Sequence, residues 1–151
     1  MSSIKIFGKR KKIALVAHDH KMADFLEWAV HNKAALAKHE LVATGKLMEE
    51  ALDRPVKKVL SGPLGGDQQI VAMIANGEID MMFFFWDLMK AQPHDSDVKA
   101  LLRLCVAWNI PMACDRATAD FIMTSPFMHE AYERTLPDYT DYLNRKVKDN
   151  E

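Results

Sequence analysis

Residues 79–86 read IDMMFFFW, the most apolar run of the chain. A short apolar run rich in aromatic residues is typical of a β-strand that is covered on both faces. A second run of this kind, KIALVA, occupies residues 12–17. The other strand-like segments lie at residues 40–44, 56–60 and 110–114.

Segments with helical periodicity separate these five strands or follow the last one. They lie at residues 22–38, 47–52, 68–75, 97–108, 118–123 and 127–134. Strands that alternate with helices imply βαβ units, which build a parallel sheet. The sequence therefore predicts an α/β fold, a three-layer, doubly wound and Rossmann-like arrangement. Its mainly parallel five-stranded sheet is expected to carry helices on both faces.

The composition fits one domain over residues 1–151, because no linker rich in Gly, Ser or Pro divides the chain. The 20 Lys and Arg residues nearly balance the 21 Asp and Glu residues. This balance argues against a nucleic-acid partner, since such proteins carry a basic excess.

The longest apolar run, residues 81–86, is far shorter than the ~20 residues that a membrane span requires. Cys105 and Cys114 lack metal or redox spacing and are expected to be reduced, buried thiols. We expect a cytoplasmic protein with neither a nucleic-acid nor a membrane partner.

Ligands of such folds bind beyond the carboxyl ends of the strands. The residues that follow the five strands are polar or rich in glycine: HDHK at 18–21, TGK at 44–46, SGPLGGDQQ at 61–69, Asp87 with PHDSD at 93–97, and DRAT at 115–118. Loops carry turn residues by default, so one such segment is weak support for a site. Five segments at one edge of the sheet predict a functional site there.

The SGPLGGDQQ segment suits a phosphate group. Its glycines let the backbone approach a ligand, and the following helix presents unpaired N–H groups at its N-terminus. Ser61 adds a hydroxyl donor. The alternative is a glycine turn in which Asp67 merely caps the helix. Neither the Walker sequence nor the dinucleotide fingerprint is present, which favours the phosphate of a small molecule.

The ionisable residues at this edge suit proton abstraction from carbon. Asp67, beside a phosphate cradle, is a candidate base for a proton next to a carbonyl group. His94 is a candidate donor to the oxygen on which negative charge develops. Asp97, Asp87 and Asp19 are candidates to orient that histidine or relay protons. Such chemistry on a phosphorylated ketone gives an enediolate that can expel phosphate.

A metal site is the competing interpretation of the same residues. The segments HDH at 18–20 and HDSD at 94–97 supply nitrogen and oxygen ligands. Their spacing matches no closed metal site, and no His-Glu-x-x-His motif is present, so we expect neither a metal nor a cofactor. His31, His39 and His129 lie away from the strand ends and are expected at the surface.

Several motifs together resemble one family. They are LVAHDH (15–20), ATG (43–45), SGPLGGDQQ (61–69), FFWD (84–87), PHDSDVKALLRL (93–104), WNIPMA (108–113) and ATADF (117–121). In this order, over roughly residues 12–145, the chain is similar to the methylglyoxal synthases. The resemblance implies a lyase that converts glycerone phosphate to methylglyoxal and phosphate without a cofactor, in a homohexamer.

The resemblance also implies roles for individual residues. Asp67 matches the catalytic base, and His94 matches the histidine that contacts the substrate oxygens. Other positions match substrate-binding or acidic pocket residues: His18, Asp19, Thr44, Gly45, Ser61, Gly62, Asp87 and Asp97. Lys21 is a further candidate to bind substrate, although it stands one place before the position of the family's pocket lysine. Arg145 or Lys146 matches a C-terminal arginine that reaches the phosphate site of a neighbouring subunit.

The chain departs from the family pattern in four places. Thr44-Gly45 is followed at once by Lys46, where the family has a further Thr-Thr-Gly that binds phosphate. Met22 stands where the family has a pocket lysine, with Lys21 one place early. Leu88 replaces a proline and Asp115 an asparagine. Donors to a phosphate contribute roughly 1.5–3 kcal/mol each, so a second interpretation is a phosphate-binding regulatory module with impaired catalysis.

Overall fold

A computed structural model describes residues 3–89 and 95–144 of the chain. Its main sheet has five parallel strands in the order β4-β3-β2-β5-β6. They are β2 (Lys12–Ala17), β3 (Glu40–Thr44), β4 (Lys57–Val59), β5 (Met81–Phe85) and β6 (Met112–Ala113). The predicted α/β class, the five strands and their parallel direction are confirmed.

Helices cover both faces of this sheet. They are α1 (Asp19–His31), α2 (Lys33–Leu36), α3 (Leu47–Leu52), α4 (Gly66–Ala75), α5 (Asp95–Ala107) and α6 (Arg116–Met123), with the short α7 (Thr140–Leu143) near the end of the described chain. Two short 3₁₀ turns, Gly62–Leu64 and Pro126–Met128, precede α4 and follow α6. Within the described residues, every helix is too short or too polar to cross a membrane.

The alternation of side chains along the strands explains the three layers. In β5 all five residues are buried, and successive side chains point to opposite faces. Phe83 and Phe85 pack with Phe25 and Trp28 of α1 in one half of the core. Phe84, from the same strand, belongs to the other half of the core, to which α4 and α5 contribute Ile70, Ile74, Val98, Leu101 and Cys105.

A two-stranded antiparallel ribbon was not predicted. It pairs β1 (Ser3–Phe7) with β7 (Tyr132–Leu136). The helix predicted over residues 127–134 is therefore wrong, because this segment contains the end of a 3₁₀ turn and the start of β7. The apolar and aromatic residues of this segment fit both the helical period of about 3.6 residues and the strand period of 2. Pairing with β1 selects the strand.

The long helix predicted over residues 22–38 is divided at Asn32, whose side-chain amide donates to the carbonyl of Trp28 at 2.9 Å. Trp28 is buried, whereas Val30, two residues later, is 49% exposed. Cys105 is buried as predicted, but Cys114 is only half-buried. Burial raises the pKa of the Cys105 thiol to about 12, so this thiol stays protonated at neutral pH.

Candidate functional site

A cavity of about 290 Å³ opens at the carboxyl edge of the sheet. Its lining comes from the ends of β2, β3 and β4 and from the segments that follow them. The lining residues are Val16, Ala17, His18, Asp19, Met22, Thr44, Gly45, Leu47, Ser61, Gly62, Pro63 and Asp67. Strand order reverses beside β2, since β3 and β5 lie on its two sides, and such a reversal creates a crevice for ligands. The convergence of polar strand ends that the sequence predicted is therefore found for three of the five strands.

Asp67 is the buried carboxylate of this cavity. It stands in the first turn of α4, where the positive end of the helix dipole favours negative charge. Only 1% of the residue is exposed. Its neighbour Gly66 is also buried, and a Cβ atom added there would lie 1.7 Å from the carbonyl oxygen of Leu60. Glycine at residue 66 is therefore what allows the end of β4 and the start of α4 to approach closely enough to position Asp67.

Gln69 fixes the same loop from the other side. Its side-chain oxygen accepts a hydrogen bond of 2.8 Å from the backbone N–H of Leu60. Three more backbone N–H groups, of Leu64, Gly65 and Gly66, donate within the loop to the carbonyls of Ser61 or Gly62 at 3.0 Å. No positioning role was predicted from the sequence for Gln69 within the glycine-rich motif. A glutamine that follows a turn has no sequence pattern that would predict such a contact.

His18 is held in one tautomer. Its Nδ1 accepts a hydrogen bond of 3.1 Å from the backbone N–H of Asp87, so the neutral ring carries its proton on Nε2. The ring is 4% exposed and packs edge-on against Phe84 at 5.3 Å between centroids. A buried imidazole with a fixed Nε2–H is a hydrogen-bond donor of defined direction.

Asp87 is buried but does not line the cavity. Its carboxylate accepts a hydrogen bond of 3.0 Å from the backbone N–H of Met89, two residues along. Its contribution to the site described here is the backbone contact to His18. This hydrogen bond therefore connects the segment after β5 to His18, the residue that follows β2.

The two predicted phosphate loops both line the cavity. Thr44 and Gly45 end β3, and the positive φ of 71° at Gly45 suits glycine alone without strain. Ser61 and Gly62 follow β4. The backbone N–H of Gly45 donates to the carbonyl of Val59 at 3.1 Å, which joins the two loops.

Two apolar side chains line the cavity where the sequence departs from the family pattern. Met22 of α1 and Leu47 of α3 are both lining residues. Lys21, which was expected to bind substrate, is exposed and is not among the lining residues. Adjacent side chains on a helix point about 100° apart. Met22 therefore faces the cavity and the neighbouring Lys21 does not.

Other predicted residues lie outside what the structure can describe. His94 and Arg145 fall outside the described residues, as does Lys146. Asp97 lies in the first turn of α5, with its backbone described and its side chain outside the description. Asp115, by contrast, is exposed and caps α6, accepting hydrogen bonds from the N–H and hydroxyl of Thr118 at 2.7 and 2.9 Å. These bonds lower the pKa of Asp115.

Three comparisons with known proteins agree with this geometry. Residues 24–114 match the family model described as the MGS-like domain. The chain is 54% identical to methylglyoxal synthase of Pseudoalteromonas atlantica over 134 residues, which cover 86% of this chain and 99% of that protein. It is 51% identical to methylglyoxal synthase of Sodalis glossinidius, with 97% of each chain covered.

The chain belongs to the methylglyoxal synthase family. A crystal structure of methylglyoxal synthase from Elizabethkingia anophelis NUHP1 matches the fold with a TM-score of 0.92 and 58% identity, covering 97% of this chain and 99% of that chain. The family and fold expected from the sequence motifs are confirmed, as is the enzyme class, a phosphate-eliminating lyase. Among the described residues, no group of three or more His, Cys, Asp or Glu side chains is placed to hold a metal ion.

Two of the three histidines expected at the surface lie elsewhere. His31 is exposed, but His39 is fully buried and His129 is half-buried. The Nδ1 of His39 accepts from the backbone N–H of Lys11 at 3.0 Å, and its Nε2 lies 3.1 Å from Nδ1 of His129. This pair joins the main sheet to the segment before β7, so the prediction of surface positions for these two residues is wrong.

Proposed function

We propose that this chain converts glycerone phosphate to methylglyoxal and inorganic phosphate, with Asp67 as the base. The observation that carries the proposal is a buried carboxylate in the same cavity as a glycine-rich loop and a histidine of fixed tautomer. The methylglyoxal synthases that match nearly the full chain support the same reaction.

The first step is transfer of a proton from the hydroxyl-bearing carbon of the substrate to the Asp67 carboxylate. The electrons of that C–H bond form the carbon–carbon double bond of an enediolate, and the negative charge moves to the former carbonyl oxygen. A donor aimed at this oxygen lowers the barrier because it binds the transition state more strongly than the ketone. His18, through Nε2–H, and His94 are the proposed donors.

The second step expels phosphate. The hydroxyl group of the enediolate loses its proton and becomes the aldehyde, the carbon–carbon double bond shifts to the carbon that bears the phosphate, and the C–O bond to phosphate breaks with its electron pair on phosphate. The products of this step are phosphate and the enolate of methylglyoxal. The two protons removed, from carbon by Asp67 and from the hydroxyl group, are returned to the terminal carbon of the enolate and to phosphate, which gives methylglyoxal and hydrogen phosphate. Asp97 and Asp19 are proposed to relay protons, and the phosphate is proposed to lie between the Thr44–Gly45 and Ser61–Gly62 loops.

The experiment combines product formation with one isosteric variant. Incubation with glycerone phosphate is expected to release methylglyoxal and phosphate in equal amounts, with and without a chelator. Asp67→Asn is expected to lower kcat by about 10²–10⁴-fold without unfolding, as circular dichroism would verify. Unaltered turnover in this variant would refute the role of Asp67, and loss of turnover on chelation would favour a metal enzyme.

A phosphate-binding regulatory module is the second candidate. The observation that favours it is the lining of the cavity, in which the described residues include two carboxylates but neither lysine nor arginine. Failure to release methylglyoxal at high protein concentration, together with measurable binding of inorganic phosphate, would establish this candidate instead.

We also propose a homohexamer in the cytoplasm, in which Arg145 or Lys146 reaches the phosphate site of a neighbouring copy. The family resemblance supports both statements. Light scattering after size-exclusion chromatography would give the mass of the assembly relative to the 17.2 kDa chain. A monomer with full activity would refute the shared site.

A further inference from the structure

Among the described residues that line the cavity, none is a lysine or an arginine, although the proposed reaction places a phosphate dianion there. Among the described lining residues, Asp19 and Asp67 contribute negative charge, while Met22 and Leu47 contribute apolar surface. A dianion next to two carboxylates needs a compensating positive charge, since like charges that share a site repel each other. A cation of the same chain at the rim of the cavity would supply it, in addition to the Arg145 or Lys146 proposed from a neighbouring copy.

Lys46 is positioned at that rim. It follows Gly45 and precedes Leu47, both of which line the cavity, and it is the residue before α3. Its side chain is 77% exposed and can therefore change direction without disturbing the core. In the chain sequence it stands directly after the Thr44-Gly45 loop.

The present contact of Lys46 is easily exchanged. Its Nζ lies 3.9 Å from a carboxylate oxygen of Glu50, whose side chain is 61% exposed. Ion pairs between exposed side chains contribute only about 0–1 kcal/mol. A contact with a dianion is stronger than one with a single carboxylate, because the Coulomb attraction grows with the product of the two charges.

We propose that Lys46 leaves Glu50 and binds the phosphoryl group of the substrate, and likewise inorganic phosphate, in this chain. The proposal rests on the proposed function, because that function places phosphate between the Thr44 and Ser61 loops. The charge of Lys46, on a mobile side chain, thereby takes the place of the hydroxyl and N–H donors of the Thr-Thr-Gly that the family pattern has after Gly45. Glu50 competes with the ligand for that charge.

Lys21 is the rival for this role. It is exposed and stands beside Met22 in the first helix. Its neighbour on one side, His20, does not line the cavity, whereas both neighbours of Lys46 do. This placement favours Lys46.

The test measures substrate kinetics and phosphate affinity in the full-length chain. Lys46→Ala is expected to raise KM for glycerone phosphate and the Kd of inorganic phosphate about tenfold, or about 1.4 kcal/mol, with kcat changed less than about twofold. Lys46→Arg should restore most of the affinity because it keeps the charge. Glu50→Gln should change both constants in the opposite direction, lowering them about two- to threefold, since it removes the competitor.

Lys33→Ala is the matched control, because Lys33 is an exposed lysine at the start of α2 outside the cavity. Calorimetry with inorganic phosphate measures binding independently of turnover. If the chain makes no methylglyoxal but Lys46→Ala still weakens phosphate binding, the lyase proposal fails and the Lys46 proposal stands. If Lys46→Ala equals Lys33→Ala in both constants, or if Lys21→Ala alone causes the loss, the Lys46 proposal is overturned.

Discussion

Two buried histidines occupy opposite edges of the sheet and differ in their surroundings. His18, at the carboxyl edge, accepts a backbone N–H at Nδ1 and lines a cavity. His39, at the amino edge, also accepts a backbone N–H at Nδ1, but its Nε2 meets the ring of His129. The same residue type with the same local bond therefore faces a cavity in one case and the protein in the other.

The surroundings of the two histidines show the same contrast. Near His39, the buried ammonium group of Lys11 donates to the carbonyls of Gly8 and Glu130 at 3.0 and 2.8 Å. The Asp80 carboxylate accepts the backbone N–H of Lys12 at 2.8 Å. These contacts join the ribbon to the sheet. Burial of a polar group alone therefore does not identify a functional site.

The largest expected effect is at Gly66, which positions the carboxyl edge. Gly66→Ala places a Cβ atom 1.7 Å from the carbonyl oxygen of Leu60, so the backbone of the loop must shift and Asp67 must move with it. A misplacement of about 1 Å costs about 10²-fold in rate, and we expect at least this loss in kcat/KM. Chemical denaturation should also show a loss of about 3 kcal/mol in the free energy of unfolding.

Gly8→Ala is the control for this substitution at the amino edge. An added Cβ there meets backbone atoms of Arg10 only at 3.7 Å or more, so stability and activity should hardly change. Equal effects of the two substitutions would contradict the distinction between the edges.

A smaller effect is expected from His18→Asn. The asparagine oxygen can replace Nδ1 as acceptor for the Asp87 N–H, but the variant lacks the donor at Nε2. We expect kcat to fall about 10²-fold, the usual cost of one donor to a developing oxyanion, with the free energy of unfolding nearly unchanged. The substitution His39→Asn should leave kcat intact. Loss of activity in the His39 variant would remove the functional difference between the two histidines.

The third prediction concerns pH and the amino edge. Burial is the largest cause that lowers the pKa of His39 from 6.5 to about 4. The positive charges that face it lower the pKa further, namely His129, Lys11, Lys38 and Arg54. Between pH 6.5 and 4 the unfolded chain binds more protons than the folded chain, so stability falls as the pH falls.

Urea unfolding at pH 7, 5.5 and 4.5 would measure this dependence. The contribution of His39 to the free energy of unfolding should fall by roughly 2 kcal/mol over the whole window. His39→Asn can still accept the Lys11 N–H but does not titrate, so its stability should vary less with pH. An identical slope in both proteins would contradict the assignment to His39.

The sequence could predict most of the main sheet because buried parallel strands leave a strong local signal. Residues 81–86 are apolar without interruption, and β5 lies within them. The ribbon could not be predicted in this way. In β1, Ile4 and Ile6 are 61% and 63% exposed, and the strand forms through pairing with β7, more than a hundred residues later in the chain.

The candidate site could be predicted in part. The rule that ligands bind at strand ends located His18, Thr44, Ser61 and Asp67, which line one cavity. It did not find Met22 or Leu47, because their positions depend on the rotation of α1 and α3 rather than on a strand end. The buried cations Lys11 and Arg134 were also missed, since long cationic side chains are rarely buried.

The ribbon determines how the chain would respond to a pulling force. Ser3 pairs with Leu136 at one end of the ribbon, and Phe7 pairs with Tyr132 at the other. Tension between residues 3 and 136 would act perpendicular to the strands, because these two residues are paired at the same end of the ribbon. The hydrogen bonds between the strands would then break one pair after another, starting from that end. The stacked contact of the Arg134 guanidinium with the Phe7 ring, at 4.5 Å, lies toward the end that opens last. The ribbon would thus yield mechanically before the parallel sheet and its cavity.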